Sequence, residues 1–307
     1  MLRDRRRGLG RIAISVLVVS ACSSRQPNVN EHSSPVASSA VVGVAVAATS
    51  GSLAAAEASS TSDSAVAVQV TEVVDGDTLK VMLNGTEASL RVIGINAPES
   101  GECLADEATR ELSDLLGNGS VVLVSDVSEF DQFGRLLRFV QTSTGQDVGA
   151  QMIKSGYAIA RRFEPDTSKS DDYEELQHSA QLAHVGMWAL DACGPQASAD
   201  IQIAVHADAP GDDSLNLNGE WVTFLNSANE PLHLDGWTVA DESSSHRYIF
   251  NDLVLPSGSA VTLYSGCGVD SQSERFWCET GSAIWNNAGD TVFLRDPQGN
   301  NVATLTY

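Results

Sequence analysis

Four side chains in this 307-residue sequence, Asp77, Arg91, Glu99 and Arg135, have the types and spacing to do chemistry together. They lie in three short segments: VVDGDT at 73–78, LRVIGINAPES at 90–100 and DQFGR at 131–135. The two carboxylates are hard oxygen ligands for a metal ion, and the two guanidinium forks match phosphate oxygens and never deprotonate. A metal held by oxygens, a carboxylate beside it and two arginines are the groups needed to attack a phosphodiester. That reaction gains negative charge in its transition state, and one preorganised donor there contributes about 3 kcal/mol. Alone, each segment has an ordinary reading: an Asp-Gly turn, a proline-bounded loop, a strand start. It is their conjunction that points to a site.

The elements around these residues must hold them in register. VAVQVTEVV, TLKVML and TEASLRVIGI alternate as strands, and Asn84-Gly85 between the last two is a hairpin-turn signal. Asp77 ends one strand pair, Arg91 leaves the return strand, and Glu99 follows eight residues later in a loop. A helix is expected over about 104–117, with Leu104, Ala108, Leu112, Leu115 and Leu116 on one face and Asn118-Gly119 ending it. Strands VVLVS and RLLRFVQ follow, then a short helix near 147–155, a YAIA strand and a helix over about 169–185. Short strands with hairpins and helices fit a small five-stranded barrel with helices packed on it, spanning 66–195.

VVDGDTLKV, RVIGINAPES and DQFGRLLRFV resemble the thermonuclease (staphylococcal nuclease-like) family, and GMWALDAC resembles the end of its domain. The resemblance covers about 125 residues. It implies an OB-fold barrel and calcium-dependent cleavage of DNA and RNA. By position it implies that Asp77 ligates calcium, that Arg91 holds the scissile phosphate and that Glu99 orients or activates the attacking water. Arg135 would stabilise the charged transition state. One position departs from the pattern: Asn96 stands where many family members have aspartate. Its amide oxygen can still ligate, and Ala97 can offer its backbone carbonyl, but the shell is one negative charge poorer. Weaker calcium binding, or service by another hard divalent ion, is the expected consequence.

Residues 200–307 read differently. WVTFLN, LDGWTVAD, RYIFN, AVTLY and DTVFLRD are short strands between Gly, Asn, Asp and Pro turns, with no helical period, which argues for a β-sandwich. Trp221, Trp237 and Trp285 are expected in its core, and Asp235, Asp241 and Asp290 read as turn formers. The run GEWVTFLNSANEPLHLDGWTVADES, with RYIF, LPSG and IWNNAGDTVFLRDPQGN, resembles the lamin tail domain, which implies an immunoglobulin-like sandwich. No catalytic constellation lies in it, and its partner is not readable. The chain as a whole is thus expected to be mainly β.

The first 21 residues hold five arginines, a short apolar run Ile12–Val19 and Val19-Ser20-Ala21-Cys22, the pattern of a secretory signal. Val-Ser-Ala-Cys resembles a bacterial lipobox, in which Cys22 is lipidated and anchors the chain to a membrane; ordinary signal cleavage is the alternative. Residues 22–65 are Ser, Ala and Val with almost no charge, a linker spanning about 35 Å by random-coil scaling. The remaining cysteines are Cys103, Cys193, Cys267 and Cys278. No CxxC spacing suggests zinc, and two disulfides suit an exported protein. Cys267 and Cys278 could close a local loop, and Cys103 and Cys193 could tie the ends of the barrel region.

Charge is the awkward fact. The chain has 18 basic and 40 acidic residues, whereas nucleic-acid binders usually carry a basic face. A nuclease needs only a local positive slot, and Arg161 and Arg162 beside Phe163 read either as a strand-contact patch or as a solvated edge. Two readings remain: an exported, metal-dependent nuclease for DNA and/or RNA, or a catalytically silent binding protein of the cell surface.

Overall fold

A computed structural model describes residues 65–117 and 119–307. The signal segment 1–21, the Cys22 anchor, the linker up to residue 64 and Asn118 lie outside the described residues.

The barrel is built from β1 (Val66–Val73), β2 (Thr78–Leu83), β3 (Thr86–Val92), β5 (Ser120–Val124) and β6 (Leu136–Thr142), closed in the order β1-β2-β3-β6-β5. The short β4 (Ile95–Asn96) lies between β3 and α1 (Ala105–Leu116), and pairs outside the barrel with β7 (Ile159–Ala160). Asn84 and Gly85 take φ values of 51° and 80°, both positive as a tight two-residue hairpin requires, and so set the β2–β3 register. Alternation then sends Leu79, Val81, Leu90, Val92, Val121 and Leu123 inward. Ala108, Leu112 and Leu116 of α1, Met152 and Ile153 of α2 (Val148–Lys154) and Tyr173 of α3 (Ser170–Ala183) pack on the same core. Asp147 caps α2, accepting from the Ala150 N–H at 3.0 Å, a contact worth about 1 kcal/mol.

Leu104 departs from expectation. It precedes α1 in a left-handed conformation (φ 67°), and its side chain packs with Ile159, Met187, Ala240 and Phe293 at the junction with the tail domain. The helix ends at Gly117.

The tail domain contains β8 (Ile201–His206), β9 (Trp221–Asn226), β10 (Leu232–His233), β11 (Thr238–Ala240), β12 (Arg247–Ile249), β13 (Val254–Leu255), β14 (Ala260–Tyr264), β15 (Glu274–Phe276), β16 (Thr291–Arg295) and β17 (Asn301–Thr306). Sheets β12-β11-β16-β17 and β15-β14-β9-β8 share one core that includes Phe224, Trp237, Val239, Val261, Trp285 and Val292. Strands β8 and β17 are edge strands outside the segments marked in the sequence; Ile201, Ile203 and Val205 of the one and Val302, Ala303 and Leu305 of the other pack half-buried on the sandwich core. Trp237 and Trp285 are core residues, but Trp221 is only half-buried and stacks on His206 with ring centroids 5.5 Å apart. Alternate β9 residues face outward, and Trp221 occupies one of those positions.

Cys103 bonds to Cys193 within the barrel domain, and Cys267 to Cys278 within the tail domain. The two domains are joined by other contacts. The Cys193 N–H donates to Asn300 Oδ1 at 2.8 Å, Trp188 stacks on Phe293 at 6.1 Å, and the Arg162 N–H donates to Glu242 at 3.2 Å.

Candidate active site

Asp77 and Arg91 meet because β2 and β3 pair just where they lie. Thr78 is opposite Arg91, and the Val92 N–H donates to the Asp77 carbonyl at 2.9 Å. The turn before β2 is tied by Asp75 Oδ1, which accepts the Asp77 N–H at 3.0 Å. Gly76 lets that turn approach the next segment: a Cβ there would lie 2.5 Å from the Ala97 Cβ and 2.8 Å from the Ala108 Cβ. This close approach brings the Ala97 N–H within 2.8 Å of Asp77 Oδ2.

The result is a compact polar cluster. Arg91 Nη1 lies 3.0 Å from Asp77 Oδ2, and Arg91 Nη2 donates to Asn96 Oδ1 at 2.9 Å. Asp77, Arg91 and Asn96 are all buried. Burial pushes the Asp77 carboxyl up to about 6; Arg91 opposes the shift and Asp75 adds to it. The carboxylate therefore remains short of positive charge even with its arginine partner.

That shortage bears on a metal. Asp77, the Asn96 amide oxygen and the Ala97 carbonyl form a set of hard oxygen donors, which fits calcium or magnesium and not zinc. Among the described residues no three His, Cys, Asp or Glu side chains converge as a metal site. A cation held here would complete its shell from amide, backbone and water oxygens.

Arg135 is positioned separately. Asp131 Oδ1 accepts the N–H groups of Phe133 and Arg135, each at 2.9 Å, and its Oδ2 accepts from Arg135 Nε at 2.7 Å. Burial works to raise the Asp131 carboxyl, but these Arg135 bonds outweigh it and hold it below its usual range. A carboxylate four residues before the arginine in DQFGR is the sequence signal for this brace. Arg91 and Arg135 line one groove of about 400 Å³, together with Arg161 and with Phe130, Phe133 and Phe163, all three exposed.

Glu99 is not bonded to this cluster. It is exposed, and its side chain makes no hydrogen bond or ion pair with the described residues. Its backbone N–H donates to Glu102 Oε2 at 2.9 Å, while Glu102 Oε1 pairs with Arg247 of the tail domain. Tail-domain and barrel residues thus share the support of the loop that carries Glu99.

Arg161 and Arg162 part company. Arg162 is held by Glu174 and Asp171 of α3, whereas Arg161 lines the groove. Strand β7 decides this: its pairing with β4 and the Arg161 N–H bond to the Gly94 carbonyl at 2.9 Å set Arg161 beside the segment that carries Arg91.

Residues 89–190 match the family described as Staphylococcal nuclease homologue, and residues 194–307 match the Lamin Tail Domain. Micrococcal nuclease of Shigella flexneri is 30% identical over 128 residues, covering 39% of this chain and 72% of that protein. The chain belongs to the staphylococcal nuclease family. Thermonuclease of Staphylococcus hyicus is likewise 30% identical, over 131 residues that cover 39% of this chain and 74% of that protein. The SPbeta prophage-derived endonuclease YokF of Bacillus subtilis is 30% identical over 131 residues, which cover 40% of this chain and 44% of YokF. The chain therefore spans less than half of that relative, and the likeness to all three lies in about two-fifths of the chain. The remaining matched part, the lamin tail, follows this family's barrel as a second domain.

Proposed function

We propose that the chain is an exported, metal-dependent nuclease that hydrolyses phosphodiester bonds of DNA and/or RNA with low sequence specificity. The observation that carries this reading is the groove in which Arg91, tied to the buried Asp77, shares one wall with Arg135. Family membership supports it. A hard divalent cation, calcium first, would be held by Asp77, Asn96 and Ala97, and when bound would polarise a phosphoryl oxygen.

The chain's own residues supply the rest. Arg91 binds the scissile phosphate with the donors it does not spend on Asp77, Asn96 and the Val92 carbonyl. Arg135, its Nε fixed by Asp131, turns its remaining N–H groups to the oxygens that gain charge as water oxygen bonds to phosphorus. Glu99 takes the proton that this water loses, and the exposed position of its carboxylate leaves it free to do so. The P–O bond to the leaving oxygen then breaks, and that oxygen leaves with the electron pair and takes a proton from solvent water. Phosphate contacts carry no base information, and stacking on exposed phenylalanines tolerates any base, so weak sequence preference follows. The groove's exposed rings favour a single strand whose bases are splayed.

The two disulfides suit an oxidising compartment, and the N-terminal segment with Cys22 suits export with a lipid anchor. No helix among the described residues is long and apolar enough to cross a membrane.

Digestion of single-stranded DNA, duplex DNA and RNA with calcium, magnesium or chelator tests the reading. Cleavage that stops with chelator is expected; cleavage indifferent to chelator rejects the metal route. Binding without cleavage under every ion would make the chain a silent binding module. Asn96→Asp is expected to lower the calcium concentration for half-maximal activity, and an unchanged or raised requirement would remove Asn96 from the shell.

A further inference from the structure

We propose that Arg161 is a third phosphate-binding cation of the groove, contacting the backbone of a single-stranded substrate beside the phosphate held by Arg91. The inference rests on the nuclease reading above and adds a residue that the motifs do not contain.

Four observations carry it. First, Arg161 lines the same 400 Å³ groove as Arg91 and Arg135. Second, the other two arginines of that groove have carboxylate partners, Asp77 for Arg91 and Asp131 for Arg135. Among the described residues the Arg161 guanidinium has no ion pair and no hydrogen bond. Third, its guanidinium carbon sits 5.0 Å from the centre of the Phe163 ring, which is itself 58% exposed. A guanidinium laid on a ring keeps its edge N–H groups in the plane, where a phosphate can accept two of them. Fourth, the neighbouring Arg162 shows what a structural arginine looks like here, clasped between Glu174 and Asp171.

Electrostatics points the same way. Burial, and then the charge of Arg91, both work against the charge on Arg161 and lower its affinity for a proton. Asp241 and Glu242 of the tail domain, with Asp77, act in the opposite sense and favour it. Two guanidinium groups facing one groove, with no carboxylate bonded to the second, repel until an anion enters between them. A backbone phosphate is the anion that the other residues of this groove are built to receive.

The test is the salt dependence of binding. A labelled single-stranded oligothymidylate is titrated with protein in chelator, so that turnover is stopped, at several salt concentrations. Each phosphate neutralised contributes about 0.7 to the slope of log affinity against log salt for a single strand. Arg161→Gln is expected to lose about 0.7 from that slope, and Arg161→Lys to keep it. Arg162→Gln, which removes the same charge one residue away, is expected to leave the slope at the wild-type value. Arg161→Met, which keeps an apolar stem over Phe163, serves as the second charge-removing variant should Arg161→Gln lose its thermal transition. A wild-type slope in both charge-removing variants overturns the inference. Wild type that binds but cleaves under no ion overturns the hydrolytic reading alone, with the slopes still deciding Arg161. Wild type that does not bind the strand at all overturns both.

Discussion

In the barrel, three arginines converge on an open groove rimmed by exposed phenylalanines, and one of them has no bonded partner in the described chain. In the sandwich, charged side chains are turned inward to the backbone. Asp290 accepts the N–H groups of Glu242, Thr291 and Asn286, and Asp296 accepts those of Ala197, Gln298 and Asn300. Asp241 accepts from Ser243 and His246, and Asp235 from the Asp252 N–H. Both regions are acidic, so net charge separates them poorly. What differs is whether a charge is consumed by its own chain. The sandwich uses its carboxylates to hold turns, while the barrel lines an open groove with three arginines, of which Arg161 has no bonded partner among the described residues.

The largest effect that would test this division concerns the bond at the junction. Cys103–Cys193 closes a loop of 90 residues, and the chain-entropy relation gives about 4–5 kcal/mol for a loop of that size. Cys267–Cys278 closes one of 11 inside the sandwich, for which the same relation gives about 3 kcal/mol. Chemical denaturation of Cys103→Ser/Cys193→Ser is therefore expected to show the greater loss, and lower nuclease activity with it. Cys267→Ser/Cys278→Ser should leave activity in place at temperatures where it remains folded. Equal loss of activity in both would mean that the junction bond has no special hold on the site.

Next in size is the loss of one groove cation. Arg91→Ala and Arg135→Ala are each expected to lower kcat by about 10²–10³, the effect of removing one preorganised donor. Asp235→Asn in the sandwich should change kcat by less than about twofold, since its carboxylate serves a turn; surface changes of this kind are small. Steady-state cleavage of a single-stranded oligonucleotide measures all three. A comparable loss in Asp235→Asn would erase the distinction between the regions.

The smallest effect is a pH dependence seated in the sandwich. Burial, reinforced by Asp290, pushes the Glu242 carboxyl from 4.5 up to about 8. Burial, then Asp241, pushes Asp290 from 3.8 up to about 7. Each folded-state value lies above the unfolded one, so the folded chain binds protons more tightly. Stability is then full below about pH 4 and falls as pH rises toward about 8. The Asp241 hydrogen bond raises His246 as well, and its contribution is lost in the same direction. Glu242→Gln should flatten this decline, seen as a smaller drop in melting temperature between pH 5 and pH 8 than in wild type. A decline of unchanged steepness would assign the dependence to other groups.

Much of the barrel is legible because its signals are local. Asn84-Gly85 marks the turn, alternation marks β2 and β3, and the register between them follows from both. Leu104 fits the α1 spacing but not its backbone: a left-handed residue ahead of the helix sends the side chain toward the tail domain. In the site, DGDT and NAPE mark Asp77 and Asn96, but the close approach of Gly76 to Ala97 that joins them depends on α1 packing behind the turn. The roles of Asp131 and Asp75 lie in hydrogen bonds to backbone N–H groups, which residue types alone leave open.

Strands, turns, the ordered motifs and the positions of Asp77, Arg91 and Arg135 within them are determined by sequence, because propensity and periodicity act over a few residues. Arg161 and Arg162 show where that reach ends. They are neighbours with the same side chain, and nothing in their types says which enters the groove. The pairing of β7 with β4 turns one toward Arg91, and the carboxylates of α3 draw the other away. Gly94 lies 67 residues before Arg161, and Asp171 and Glu174 lie 9 and 12 residues after Arg162, so only the folded arrangement could choose between the two arginines.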